Sequence, residues 1–115
     1  MLAADRLIEI AEICGEIAEC IVPLDLDVEM LRVAVHLKDG TQLRVTEQRK
    51  DDVLSRYSYY WLTSGNELKI GCDNAPHHTR LKNFPHHEHV GSKHSLQPSG
   101  EINLMDVVRH IRSMQ

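Results

Sequence analysis

Aromatic residues are scarce. Tyr57, Tyr59, Tyr60, Trp61 and Phe84 are the only rings of that kind in 115 residues, so a core must be packed from Leu, Ile and Val. Long hydrophobic runs are missing as well, and no stretch approaches the roughly 18 apolar residues of a membrane-spanning helix. The basic start that a secretion signal would want is not there. The opening MLAADRLIEIAEICGEIAE sets acids at that place, and a cytoplasmic location is expected. Cysteine is limited to three, an odd number. Cys14 and Cys20 fall on one predicted helix, about 9 Å of rise apart, too far to bridge. Cys72 ends a predicted strand, and reduced, buried thiols are expected. Also missing are a glycine-rich phosphate loop and a G-x-S-x-G elbow, which removes two common routes to phosphate and acyl chemistry.

What is present begins with an uneven charge. Residues 1–31 hold eight acids and a single base, Arg6, a net −7, while residues 32–115 hold twelve bases and nine acids, a net +3. The overall −4 therefore does not exclude a polyanionic partner for the second part. A solvated acidic helix is the plainer account of the first. The length suits a single domain with its own core.

Leu7, Ile10, Cys14, Ile17 and Ile21 recur every three or four residues, which predicts a helix over about 3–21, limited by Pro23. In LRVAVHLKDGTQLRV, Leu31, Val33, Val35 and Leu37 alternate with Arg32, Ala34, His36 and Lys38, and Asp39-Gly40 suits a type I′ hairpin turn. Leu43 and Val45 resume the alternation. YSYYWL reads as a third strand with Tyr57, Tyr59 and Trp61 on one face, and ELKIGCD as a fourth after Ser64-Gly65-Asn66. The three alternating rings suit a core face better than base stacking on an open sheet. Asn103 is a candidate N-cap for a final helix with Leu104, Val107, Val108 and Ile111 on one side. The expected fold is α+β: an N-terminal helix, a four-stranded antiparallel meander over about 31–73, a histidine-rich loop over 73–97, and a C-terminal helix over about 103–114.

The loop carries the chemistry. Residues 73–94 read DNAPHHTRLKNFPHHEHVGSKH and contain six of the eight histidines, with Pro-His-His at 76–78 and again at 85–87. Three uses are open. A divalent metal would take His87 and His89, which share a side if extended, with His77, His78 or His94 completing the set; His77, His87 and His89 are the preferred ligands. Yet Gly91 stands where H-E-x-x-H needs its second histidine, and the absence of cysteine from the loop excludes a zinc ribbon. Metal-free proton transfer is favoured, and no cofactor is required for it. Cleavage of RNA through its own 2′-hydroxyl needs a base, an acid and positive charge on the phosphate. His77, His78, His86, His87 and His89 supply the first two, and Arg80, Lys82 and Lys93 the third. Asp73 is placed to fix the tautomer of a partner histidine. The third use is a polar network that only holds the loop together.

YSYYWL, ELKIGCDNAPHH, FPHHEHVG and the closing helix resemble the TumE family of toxins from toxin–antitoxin pairs, over roughly residues 30–113. The matching loop positions are Asp73, Asn74, Pro76, His77, His78, Phe84, Pro85, His86, His87 and His89. Cys72 departs from the large or aromatic residue usual before the aspartate. The resemblance implies a cytoplasmic toxin with a cognate antitoxin, often a helix-turn-helix protein. Joined to the histidines, it leads to an expected toxin acting on RNA as an endoribonuclease. Metal-dependent phosphodiester hydrolysis by the same histidines and a non-enzymatic binding toxin are the alternatives. A homodimer or antitoxin surface is expected on the first helix if Leu7, Ile10, Ile17 and Ile21 are incompletely covered by the sheet.

Overall fold

A computed structural model describes residues 2–74, 87–90, 96–98 and 102–115, with 87–90 and 96–98 given by backbone and pairing. The order is α1 (Ala3–Cys14), β1 (Ala18–Leu26), β2 (Met30–Leu37), β3 (Gln42–Lys50), β4 (Val53–Leu62), β5 (Leu68–Asp73), β6 (His87–Val90), β7 (Leu96–Pro98) and α2 (Leu104–Ser113). The strands form one antiparallel sheet in sequence order, and both helices pack on one of its faces. The α+β class and the terminal helices agree with the sequence. The four expected strands are β2 to β5, and the sheet extends beyond them at both ends.

The first correction concerns α1, which stops at Cys14 rather than near residue 21. Gly15 disfavours helix continuation, and residues 18–26 pair with β2 instead. The apolar spacing misled because Ile17, in the turn, and Ile21, in the strand, face the same layer as the helix. Pro23 is tolerated because β1 is an edge strand, and β1 is irregular between Pro23 and Asp25. The change also moves Cys20 to an exposed strand position, so only Cys14 and Cys72 are buried thiols. Burial pushes the Cys14 thiol up to about 11, well away from reactivity.

The turns differ too. Gly40 has φ +89° and Asp39 is not left-handed. Gly40 N–H donates to the Leu37 carbonyl, giving a three-residue hairpin loop closed by a left-handed glycine. The two-residue turn with both φ positive is Asp51-Asp52, at 51° and 64°, between the paired Lys50 and Val53. The polar segment between β3 and β4 is therefore a tight hairpin.

Leu31, Val33, Val35, Leu37, Leu43, Val45, Tyr57, Tyr59, Trp61 and Cys72 form the covered face with Ile10, Cys14, Leu104, Val107, Val108 and Ile111. Tyr57, Tyr59 and Trp61 are thus core, as their alternation favours. α2 begins with the expected cap: the Asn103 side chain accepts from Asp106 N–H at 2.9 Å and Asp106 returns the bond to Asn103 N–H. Ile10 and Ile17 are buried, and Leu7 and Ile21 are partly buried against the core. Ile10 and Ile17 are thus covered by the core, while Leu7 and Ile21 keep part of their surface exposed.

Candidate active site

Asp73 ends β5 on the sheet face opposite the helices. Tyr60 reaches it there, in space that Gly71 leaves. Tyr60 pairs with Gly71 on the adjacent strand, and its ring lies so close over Gly71 that a Cβ at 71 would come within 2.4 Å of it. Only glycine leaves room for this ring. The ring points along β5 and its hydroxyl donates to Asp73 Oδ2 at 2.8 Å. Burial, and then the bond to the Asp73 carboxylate, push the Tyr60 phenol above its usual range, so it stays a proton-bearing donor at neutral pH. Asp73 is only 4% exposed.

Asn74 fixes where the chain leaves the sheet. Its Oδ1 accepts from Tyr57 N–H at 2.8 Å, its Nδ2 donates to the Ser55 carbonyl at 3.1 Å, and its own N–H donates to the Tyr57 carbonyl. The side chain thereby continues the ladder along β4 for one more step. This anchors the start of the histidine motif against the sheet.

The motif returns as β6, a strand inside the segment expected to be loop. Register pairs His87 with Asp73 and His89 with Gly71. Positions 87 and 89 therefore share one sheet face with Asp73 and Tyr60, because directly paired residues lie on the same side. Cys72 and Glu88 are paired on the other side. Of the expected catalytic set, the structure brings together Asp73 and the backbone positions of His87 and His89. His77, His78 and His86, and the expected phosphate ligands Arg80, Lys82 and Lys93, lie outside the described residues. So does the full metal set, since it needs His77. Among the described residues no group of three His, Cys, Asp or Glu could hold a metal ion.

Tyr60 and Gly71 were not singled out as site residues by sequence reasoning. A signal existed for each. Tyr60 occupies the polar-face position in YSYYWL, and a glycine within an alternating strand marks a close approach.

A second carboxylate lies beneath the helices. Glu47, 1% exposed, receives Arg6 Nε at 2.7 Å, Arg6 Nη2 at 2.9 Å, Arg49 Nη1 at 3.1 Å and the Tyr59 hydroxyl at 2.6 Å. Burial alone would raise its pKa. The hydrogen bonds from Arg6 and Tyr59 and the two guanidinium charges outweigh burial and hold the carboxyl below its ordinary 4.5. With two cations and a phenol satisfying it, Glu47 reads as the tie between α1 and the sheet.

A family model described as Toxin TumE matches residues 17–115 of the chain. No curated protein and no solved structure matches it. Among the described residues no helix is long and apolar enough to cross a membrane.

Proposed function

This chain belongs to the Toxin TumE family, and from that premise we propose that it is the toxin of a toxin–antitoxin pair that cleaves RNA by histidine acid–base catalysis. The observation that carries the reading is the register of β6, which sets His87 directly opposite Asp73. An aspartate beside an imidazole selects its tautomer and steadies the imidazolium that forms during proton transfer. Tyr60 in turn holds that aspartate.

In the proposed step one histidine of the Pro-His-His units takes the proton from a ribose 2′-hydroxyl. The 2′-oxygen forms its bond to phosphorus as the bond to the 5′-oxygen breaks, and a second histidine protonates that leaving oxygen. The products are a 2′,3′-cyclic phosphate and a 5′-hydroxyl. Arg80, Lys82 and Lys93 balance the charge that grows on the phosphate. His77 or His78 and His86, His87 or His89 fill the base and acid roles. The protein works in the cytoplasm, where a cognate antitoxin, of the DNA-binding helix-turn-helix kind, restrains it.

The test is incubation of purified protein with total RNA, with and without EDTA, beside a His87→Ala variant checked for folding. Cleavage that resists chelator and is lost in the variant supports the reading. Cleavage lost to chelator assigns His77, His87 and His89 to a metal. Absence of cleavage under every condition turns the assignment toward a toxin that acts by binding.

A further inference from the structure

The two described helices lie on the other side of the sheet from Asp73, and the face that holds Asp73 is built in rows. The middle row runs Arg32, Thr46, Ser58, Asp73 and position 87 across five strands. One neighbouring row runs Ala34, Arg44, Tyr60, Gly71 and position 89. The other runs Met30, Gln48 and Arg56. Asp73 thus lies between two rows that each carry an arginine, Arg44 on one side and Arg56 on the other. Rows on one face are about 7 Å apart along the strands.

These two arginines stand apart from the rest. Among the described residues, Arg6 and Arg49 pair with Glu47, Arg32 with Asp25, Arg109 with Asp106 and Arg112 with Glu16. Arg44 donates instead to the neutral Gln42 side chain at 2.9 Å, and no carboxylate of a described residue meets Arg56. Arg56 also lines an open groove of about 280 Å³ whose other walls include Thr46, Gln48, Ser58, Tyr60 and Asp73. A groove with hydroxyl and amide groups, a guanidinium on its wall and a second one row beyond the aspartate suits a chain of phosphodiesters. Guanidinium groups recognise phosphate oxygens with paired donors.

We propose that single-stranded RNA crosses this sheet face along the groove, with Arg44 and Arg56 anchoring phosphates on either side of Asp73. The proposal rests on the reading of the protein as an RNA-cleaving toxin and adds binding residues outside the histidine motif. Thr46, Gln48 and Ser58 meet the ribose and base edges between the two anchors.

The test measures binding of a short, labelled 2′-O-methyl RNA, which keeps the phosphates but lacks the nucleophile. Full-length wild type, R44Q, R56Q, the double variant and R109Q are titrated by fluorescence anisotropy at several salt concentrations. Each phosphate contact contributes roughly 0.7 to the slope of log affinity against log salt for a single strand. The double variant is expected to bind about tenfold more weakly and to lose about 1.4 of slope, while R109Q, on the helix side, binds as wild type does. Unchanged affinity and slope in a folded double variant overturn the proposal, as does wild type that binds no RNA. Cleavage separates the two readings. If RNA binding depends on both arginines but cleavage ignores His87→Ala, the track stands and the histidine mechanism falls. If His87→Ala abolishes cleavage while R44Q/R56Q binds and cleaves normally, the track falls alone.

Discussion

Tyr59 and Tyr60 are adjacent in sequence and point to opposite faces of one sheet, and each hydroxyl donates to a buried carboxylate. On the helix side Tyr59 reaches Glu47, which also holds Arg6 and Arg49. On the other side Tyr60 reaches Asp73, beside the returning histidine strand. Glu47 is enclosed by charges that neutralise it, under a layer of aliphatic side chains. Asp73 accepts from a neutral phenol at the end of a strand, on a face that also bears Arg44 and Arg56. On the proposed mechanism, the difference separates a carboxylate that holds the fold from one that orients a histidine.

The largest expected effect comes from breaking the enclosed side. Arg6→Ala removes two bonds from a fully buried charge and is expected to cost about 3–5 kcal/mol, read as a lower urea midpoint. The pH dependence follows from the same group. The folded pKa of Glu47 lies below its ordinary 4.5, so its contribution is complete above that value and is lost as pH falls through the lowered folded pKa. Urea midpoints of wild type are expected to fall as pH drops below about 4.5, and those of Glu47→Gln to fall less steeply. Equal slopes would remove Glu47 from the account of acid stability.

On the open side the expected losses are smaller. Gly71→Ala forces the added Cβ against the Tyr60 ring and is expected to cost about 1–3 kcal/mol. Tyr60→Ala removes the obstacle, so adding it to Gly71→Ala is expected to cost less than it does alone. Additive stabilities in that double-mutant cycle would show that the ring does not depend on the glycine. Tyr60→Phe keeps the ring and removes the hydroxyl that donates to Asp73, for about 1.5 kcal/mol of stability. RNA cleavage is expected to fall in Tyr60→Phe and to stay intact in the folded fraction of Arg6→Ala. The reverse pattern would invert the roles given to the two carboxylates.

These residues also mark how far the sequence could be read. Strands β2 to β5 were legible because the helix-covered face takes every second residue, Leu31 to Leu37 in β2 and Tyr57, Tyr59 and Trp61 in β4. The α2 cap was legible because Asn103 sits at the boundary of an apolar stripe. Residues 17–26 were not, since an edge strand with one partner need not alternate, and the spacing of Ile17 and Ile21 suits either structure. Asp73 was legible as a site residue, but the return of 87–90 as a strand beside it was not. That pairing joins positions fourteen residues apart and depends on tertiary register rather than on local pattern. Glu47 continues the inward alternation of Leu43 and Val45, and an acid at such a position calls for a cation. Arg6 is the only base in the first 31 residues, yet nothing local links the two.

The smallest expected effect tests whether charge pairing as such explains the helix side. Arg112 of α2 and Glu16 after α1 approach to 2.6 Å, but their side chains are 54% and 75% exposed. Water screens such a pair and two long side chains must be ordered to form it, so Arg112→Ala is expected to cost at most about 1 kcal/mol. Added salt should erase even that difference. About two turns away on the same helix, Leu104 is 1% exposed, and Leu104→Ala is expected to cost about 2–5 kcal/mol with no salt dependence. If Arg112→Ala instead matched Arg6→Ala, burial would not be what sets Glu47 apart. The helices would then be held to each other by surface charge as firmly as α1 is held to the sheet by its enclosed carboxylate.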